Sequence, residues 1–222
     1  STPFESRGFA DAQFYIMRKD QNTLFVDAAD IGIRGRGSHD HNDRLSFDLY
    51  AGNTTFFSDS GAYVYSANPQ ARNWFRSTAA HNTVCVDQVE QNTLGEGVNL
   101  WTIGNEAKVK VERWESNLQS DVLRVSHEGY RRLPDPVTHV REFRFSKNPI
   151  ECMIIDELMG SQTHDLDWYF HLGIGVRIEQ GGKPILESFH EGLTIRGHHD
   201  DQIIFRLCEQ MNGMSAELID GW

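Results

Sequence analysis

Apolar and polar positions alternate along this chain in short runs, with the period of two that marks a strand burying one face. Ten such runs stand out, at 13–17, 23–26, 45–50, 83–86, 107–114, 122–127, 140–145, 151–156, 168–172 and 203–207. Turn-forming residues separate them: Asn22-Thr23, Gly52-Asn53, Pro134-Asp135-Pro136, Asn148-Pro149 and Gly181-Gly182-Lys183-Pro184. Helical signals are few. Many short strands at this spacing predict an all-β fold, a large multi-stranded antiparallel β-sandwich. At 222 residues the chain is long enough to bury a sizeable core as one domain, and it contains no internal repeat, low-complexity tract or long linker.

Charge narrows the partners. A net charge of -11 and a pI near 5.3 argue against nucleic acid and anionic membrane surfaces. No membrane span or signal peptide is visible in the sequence. Cys85, Cys152 and Cys208 lie in apolar surroundings and read as buried free thiols, not as a disulfide framework.

The densest chemistry is Gly37-Ser38-His39-Asp40-His41-Asn42-Asp43, directly after the glycine-broken stretch Gly32-Ile33-Arg34-Gly35-Arg36. In an extended segment His39, His41 and Asp43 share one face, and imidazole with carboxylate is a ligand set that suits zinc. The same letters also describe a solvated polar turn. Downstream, Asp59 follows Phe56-Phe57 and precedes a turn, while His81 precedes Val84-Cys85-Val86, so each sits at a strand edge from which it can reach a shared point. His198-His199-Asp200-Asp201 reads as a solvated hairpin loop and His171 as a satisfied core histidine; His127, His139, His164 and His190 carry no spacing argument.

Three segments resemble the C-terminal β domain of the heparinase II/III family of polysaccharide lyases. They are residues 37–50, the turn Asp59-Ser60-Gly61-Ala62-Tyr63-Val64-Tyr65, and Arg72-Asn73-Trp74-Phe75-Arg76 running on to His81-Asn82-Thr83-Val84. Residues 127–141 and Trp168-Tyr169-Phe170-His171 look like later strands of the same domain. The resemblance implies a structural zinc held by His41, Asp59 and His81, with His39 facing substrate and either Tyr63 or Tyr65 lining the same cleft. The substrate class it implies is an acidic, uronate-containing polysaccharide, cleaved by β-elimination. That reaction needs a neutraliser for the uronate carboxylate, a base for the C5 proton and an acid for the leaving oxygen.

Arg72 and Arg76 are candidates for contacting substrate carboxylates; pairing with acids of this chain is the alternative. With Arg34, Arg36 and Arg44 they could form a local positive patch. Family lyases carry a helical toroid ahead of this domain, which supplies further catalytic groups and is the expected partner of the β domain. The chain is therefore expected to be a piece of a longer protein, shortened at both ends and inactive alone, with the periplasm or cell exterior of a bacterium as its compartment. The competing class is a non-catalytic carbohydrate-binding or scaffolding β-sandwich, in which Tyr63, Tyr65 and Trp74 stack on sugar rings. A hydrolytic zinc enzyme with an open coordination position is a further alternative.

Overall fold

The computed structural model describes residues 5–32, 37–179, 193–198 and 201–206. Strands β1 (Arg7–Phe9), β2 (Phe14–Lys19), β3 (Asn22–Asp27), β4 (Phe47–Ala51) and β5 (Thr54–Phe57) make one antiparallel sheet in chain order. Strands β7 (Val109–Ser116), β8 (Ser120–His127), β9 (Thr138–Lys147) and β10 (Ile150–Met159) form a second antiparallel meander. A short pair joins β6 (Val84–Val86) to β11 (Leu166–Trp168), and β12 (Arg177–Glu179), β13 (Leu193–Arg196) and β14 (Gln202–Phe205) form a three-stranded sheet.

Alternation places the core between the sheets. Tyr15 and Met17 of β2, Leu24 and Val26 of β3, and Phe47 and Phe56 meet Leu123 and Val125 of β8 and Phe143 and Phe145 of β9 in one buried cluster. Phe47 and Phe143 touch edge to face across it, ring centroids 6.0 Å apart. Burying each such side chain contributes about 1.5–3 kcal/mol, so the sandwich is held chiefly by these inward positions.

Each predicted run contributes residues to a strand, although boundaries move. Asn22, read as a turn, opens β3, because the tight turn is Asp20-Gln21, with Asp20 at φ 52. The run at 168–172 yields only its first residue to β11; Leu172 instead makes an isolated bridge to Phe57. β4 begins at Phe47 because Leu45 sits at φ 63, a left-handed conformation that interrupts an extended run. Strands β1, β5, β12 and β13 span only 3–4 residues each, too short for periodicity to stand out. A seven-residue helix, α1 (Pro69–Phe75), was also not predicted; Asn68 caps it by accepting from the Ala71 amide at 3.0 Å, and Pro69 opens it.

One buried polar network crosses the sandwich. Arg141 on β9 forks onto Asp156 of β10 at 2.6 and 2.9 Å. Its remaining terminal nitrogen donates to the carbonyls of Leu45 and Asn82 at 2.9 and 2.7 Å. Asp156 also accepts from Trp168 Nε1 at 3.0 Å and from His139 Nε2 at 2.7 Å. His139 Nδ1 lies 3.2 Å from His127 Nε2, and the Gly129 amide donates to His127 Nδ1 at 3.1 Å. Gly129 thus fixes the tautomers: His127 donates to His139, which donates to Asp156. Burial alone would raise the Asp156 carboxyl, but Arg141 and His139 hold it well below the usual carboxylate range.

Removing one partner from this network strands a buried charge. Asp156→Asn is expected to lower unfolding stability by about 3–5 kcal/mol, read by urea denaturation. A loss below about 1 kcal/mol, the range of an exposed pair, would contradict the assignment.

Candidate metal centre and adjoining aromatic surface

The loop joining β3 to β4 carries the first histidines. It is a chain of turns, not an extended segment, and it starts at Gly37, where φ is 47 and any Cβ would collide with the side chains of Ile31 and Ile103. With few ladder bonds available, side chains satisfy its backbone. Arg72 donates to the Ser38 carbonyl at 2.8 Å and Arg76 Nε to the Asp40 carbonyl at 3.1 Å, while the Asn42 amide donates to Arg76 O at 2.9 Å. Buried Asn42 donates to Glu90 at 2.7 Å and to the Asn92 carbonyl at 2.9 Å; Gln91 brackets Arg44, accepting from its amide at 2.9 Å and donating to its carbonyl at 3.0 Å.

His81 arrives from a second segment, just past the 3-10 turn Thr78–Ala80. The next residue, Asn82, donates to the Phe47 carbonyl at 2.8 Å and accepts from the His171 amide at 2.6 Å, locking the segment between β4 and the strand-like stretch at 171. Ligand atoms of His41, Asp43 and His81 lie within 4.8 Å of one another, the separation a single ion can span. Asp59, two residues beyond β5, reaches this group through His81: its Oδ2 is 2.6 Å from His81 Nδ1. The Asp59 amide donates to Asp48 at 2.8 Å and its Oδ1 accepts from the Gly61 amide at 2.7 Å, so the turn is fixed.

The donor chemistry fits a cation. Asp59 selects the His81 tautomer with hydrogen on Nδ1, and Nε2 is fully buried without a hydrogen-bond partner among the described residues. A buried nitrogen lone pair with nothing to bind is costly unless an ion or a donor fills the space beside it. Burial, and then the charge of His81, lowers His41 from its ordinary value and favours the neutral, ligating form. For His81 burial acts in the same direction, but the Asp59 hydrogen bond and the charges of Asp43 and Asp59 outweigh it and raise the imidazole. Asp43 also pairs closely with the Arg44 guanidinium, and burial together with Asp43 pushes nearby Asp27 up to about 7.

His39 leaves this group. It is exposed, and its ring meets Tyr65 edge-on at 5.8 Å and Trp101 at 5.6 Å. Tyr63, at φ 49 and 75% exposed, stacks on Phe75 of α1 at 5.0 Å. Arg72 and Arg76, read as possible substrate contacts, are buried at 1% and 0% exposure. Arg76 donates to the carbonyls of Leu100 and Thr102 at 2.9 and 3.2 Å, and Arg72 lies over the Trp101 ring, its guanidinium carbon 4.1 Å from the centroid. Arg44 is buried as well, and Arg34 and Arg36 lie outside the described residues. Trp101 was not singled out in the sequence; its one signal was a tryptophan isolated among loop-forming Gly, Asn and Thr.

The remaining candidates are structural. His171 is half-buried and bonds the Ala79 carbonyl at 2.9 Å. His198 and Asp201 lie in the β13–β14 hairpin connection, where Asp201 accepts from the Asn53 amide at 2.8 Å; His199 and Asp200 lie outside the described residues, as does His190. His164 bridges Asp87 and Asp135 at 2.7 and 2.8 Å, and hydrogen bonds to both raise it. Cys85 and Cys152 are free thiols, each pushed up to about 12 by burial, and Cys208 lies outside the described residues. Among the described residues no helix is long and apolar enough to cross a membrane.

The antiparallel sandwich matches the β domain of the heparinase type of polysaccharide lyase. The chain belongs to the family described as heparinase II/III-like, C-terminal, which matches residues 1–219. It is 26% identical over 210 residues to a heparin-sulfate lyase of Bacteroides stercoris, covering 86% of this chain and 28% of that protein. A heparin-sulfate lyase of Pedobacter heparinus is 25% identical over 192 residues, covering 83% and 25%. In fold, the chain resembles a methylated heparinase III (TM-score 0.74, 22% identity, 96% of this chain and 29% of that one). It also resembles a heparan sulfate lyase mutant from Pedobacter heparinus (TM-score 0.63, 22% identity, 89% and 28%). The chain thus spans between a quarter and a third of the length of these relatives.

The Asp59–His81 contact has a consequence that metal-free protein displays. Because Asp59 favours the charged imidazole, Asp59→Asn is expected to move the His81 titration downward, followed by NMR of the ring protons. The same pairing adds stability at pH below the ordinary imidazole value of about 6.5, lost as pH rises through the raised His81 value, so the variant should lack that increment. An unmoved His81 titration would contradict the hydrogen bond.

Proposed function

We propose that this chain is the β domain of a polysaccharide lyase that cleaves uronate-containing glycans by β-elimination, with a zinc ion stapling the two histidine-bearing segments. The observation that carries the reading is the meeting of exposed His39 with Tyr65, ring centroids 5.8 Å apart, on the surface beside the His41, Asp43 and His81 group. An imidazole and a phenol side by side are the two groups an elimination needs: one takes the proton beside the uronate carboxyl, the other protonates the departing glycosidic oxygen. His39 and Tyr65 are assigned these roles jointly. Tyr63, further round and stacked on Phe75, lines the approach. The relatives named as heparin-sulfate lyases support an acidic glycan as substrate.

When bound, the zinc supplies a fixed positive charge and a cross-link between loops. His41 and His81 hold it, and the carboxylate comes from Asp59, as the family resemblance implies, or from Asp43, which has a ligand atom within 4.8 Å of those of both histidines. The remainder of the cleft comes from a helical domain of a longer parent chain, and the compartment is the bacterial periplasm or exterior. A carbohydrate-binding module without turnover is the competing reading, favoured by the exposure of Tyr63 and Tyr65 at 75% and 56%.

Two experiments test the proposal. The full-length protein, assayed on a panel of uronate glycans, should release products with a ring double bond that absorbs in the ultraviolet, and His39→Ala should reduce turnover by about 100-fold or more. Hydrolysed products without the double bond would remove the elimination chemistry, and binding without turnover would favour the module. For the metal, elemental analysis should find close to stoichiometric zinc in the wild type and little in His41→Ala, with thermal stability falling alongside. Asp43→Asn and Asp59→Asn then identify the ligating carboxylate by which of them loses the ion. Zinc retained in His41→Ala would refute the site.

A further inference from the structure

We infer that Trp101 is a sugar-stacking platform, on which a pyranose ring of the acidic glycan lies next to His39. The inference rests on the lyase reading for the identity of the glycan. Its grounds are how rigidly the ring is held, what covers it and what lies behind it.

Trp101 sits on a loop excursion between β6 and β7 that follows the 3-10 turn Gly97–Asn99. Such a loop would ordinarily leave a tryptophan mobile. Here the backbone on both sides of the residue is fixed, since Arg76 donates to the carbonyls of Leu100 and Thr102 at 2.9 and 3.2 Å. The loop also closes on itself through the Gly95 amide to Thr102 O at 3.1 Å and the Gly104 amide to Thr93 O at 2.7 Å. A rigid aromatic ring loses little conformational freedom when a ligand settles on it.

The ring is only partly covered. The Arg72 guanidinium lies against one face at 4.1 Å, His39 meets the ring at 5.6 Å with planes 68° apart, and Tyr65 lies 5.7 Å away at 31°. The indole nonetheless remains 37% exposed, next to the imidazole assigned to catalysis. An indole held open to solvent in this way offers apolar area to the C–H face of a sugar.

Charge selects which sugar. Arg72 is 1% exposed, and among the described residues its hydrogen bond goes to a carbonyl and not to a carboxylate: Nη2 donates to Ser38 O, and Nε has no partner. Arg76 is likewise spent on carbonyls and on the Asn73 amide oxygen. Among the described residues no carboxylate contacts either guanidinium, and Arg72, lying against the indole face, leaves positive potential there that low dielectric preserves, while Arg76 also feels the charge of Asp40. A uronate or sulfated ring stacked on Trp101 experiences that potential; a neutral ring gains only the stacking. Arg72 therefore acts through Trp101, as a positioning residue.

The test uses the full-length protein and a heparan sulfate tetrasaccharide, with binding read by calorimetry under conditions that block turnover and kinetics read separately. Trp101→Ala is expected to weaken binding roughly tenfold and raise KM by a similar factor, with kcat within about twofold, while Trp101→Phe recovers most of the loss. Wild-type affinity in Trp101→Ala overturns the inference. So does a loss that Trp101→Phe fails to recover and that tracks a fall in melting temperature, and so does absence of binding by the wild type. The two readings separate: Trp101-dependent binding with no unsaturated product keeps the platform and removes the lyase assignment. Unsaturated product formed at unchanged KM in Trp101→Ala does the reverse.

Discussion

The arrangement of this domain depends on one buried ion pair, Arg141 with Asp156. The pair itself is local, joining neighbouring strands β9 and β10, but Arg141 extends one nitrogen beyond it to the carbonyls of Leu45 and Asn82. Leu45 ends the loop that bears His41 and Asp43; Asn82 directly follows His81. A single guanidinium on the second sheet therefore bonds both of the segments that bring His41, Asp43 and His81 together. Desolvating such a pair is costly, and the cost is offset because Asp156 accepts four hydrogen bonds and Arg141 donates four of its five protons. One carbonyl so bonded belongs to Leu45, whose left-handed conformation is a strained one for a bulky side chain.

Around this anchor, amide side chains take the place of a sheet ladder. Asn42, Gln91, Asn92 and Asn82 are all buried, and each bonds backbone from another segment. A loop stabilised in this way is ordered before any ligand arrives, so binding an ion or a sugar incurs little further loss of freedom. Function divides along the same line. Interior members of the loop cluster, His41, Asp43 and His81, gather where an ion fits, while His39, two residues away, is turned outward to Tyr65 and Trp101. One turn thus supplies both a histidine of the proposed metal centre and a histidine of the proposed reactive surface.

Much of the sandwich was legible in the sequence because burial on one face writes itself into alternation: Leu24 and Val26, or Tyr15 and Met17, point inward where every second residue should. Alternation failed at residues 39–43, where turns replace the extended chain and send His39 to a different neighbourhood from His41. Helix α1 is too short for a 3.6-residue period to emerge, although Asn68-Pro69 was its capping signal. Residue type alone could not place Arg72 and Arg76. Their partners are carbonyls at Ser38, Asp40, Leu100 and Thr102, and a backbone carbonyl leaves no trace in side-chain sequence. The position of His81 at a strand edge made a shared point with His41 possible, and family resemblance made it specific, since neither spacing nor periodicity relates residues forty apart.

On the proposed reading, two separate segments converge on one ion with imidazole and carboxylate ligands. X-ray absorption at the zinc edge of the loaded protein tests it most directly. The expected spectrum has a shell of nitrogen and oxygen at about 2.0–2.1 Å with the multiple-scattering signature of two imidazoles. Sulfur at about 2.3 Å, or a single imidazole, would contradict it.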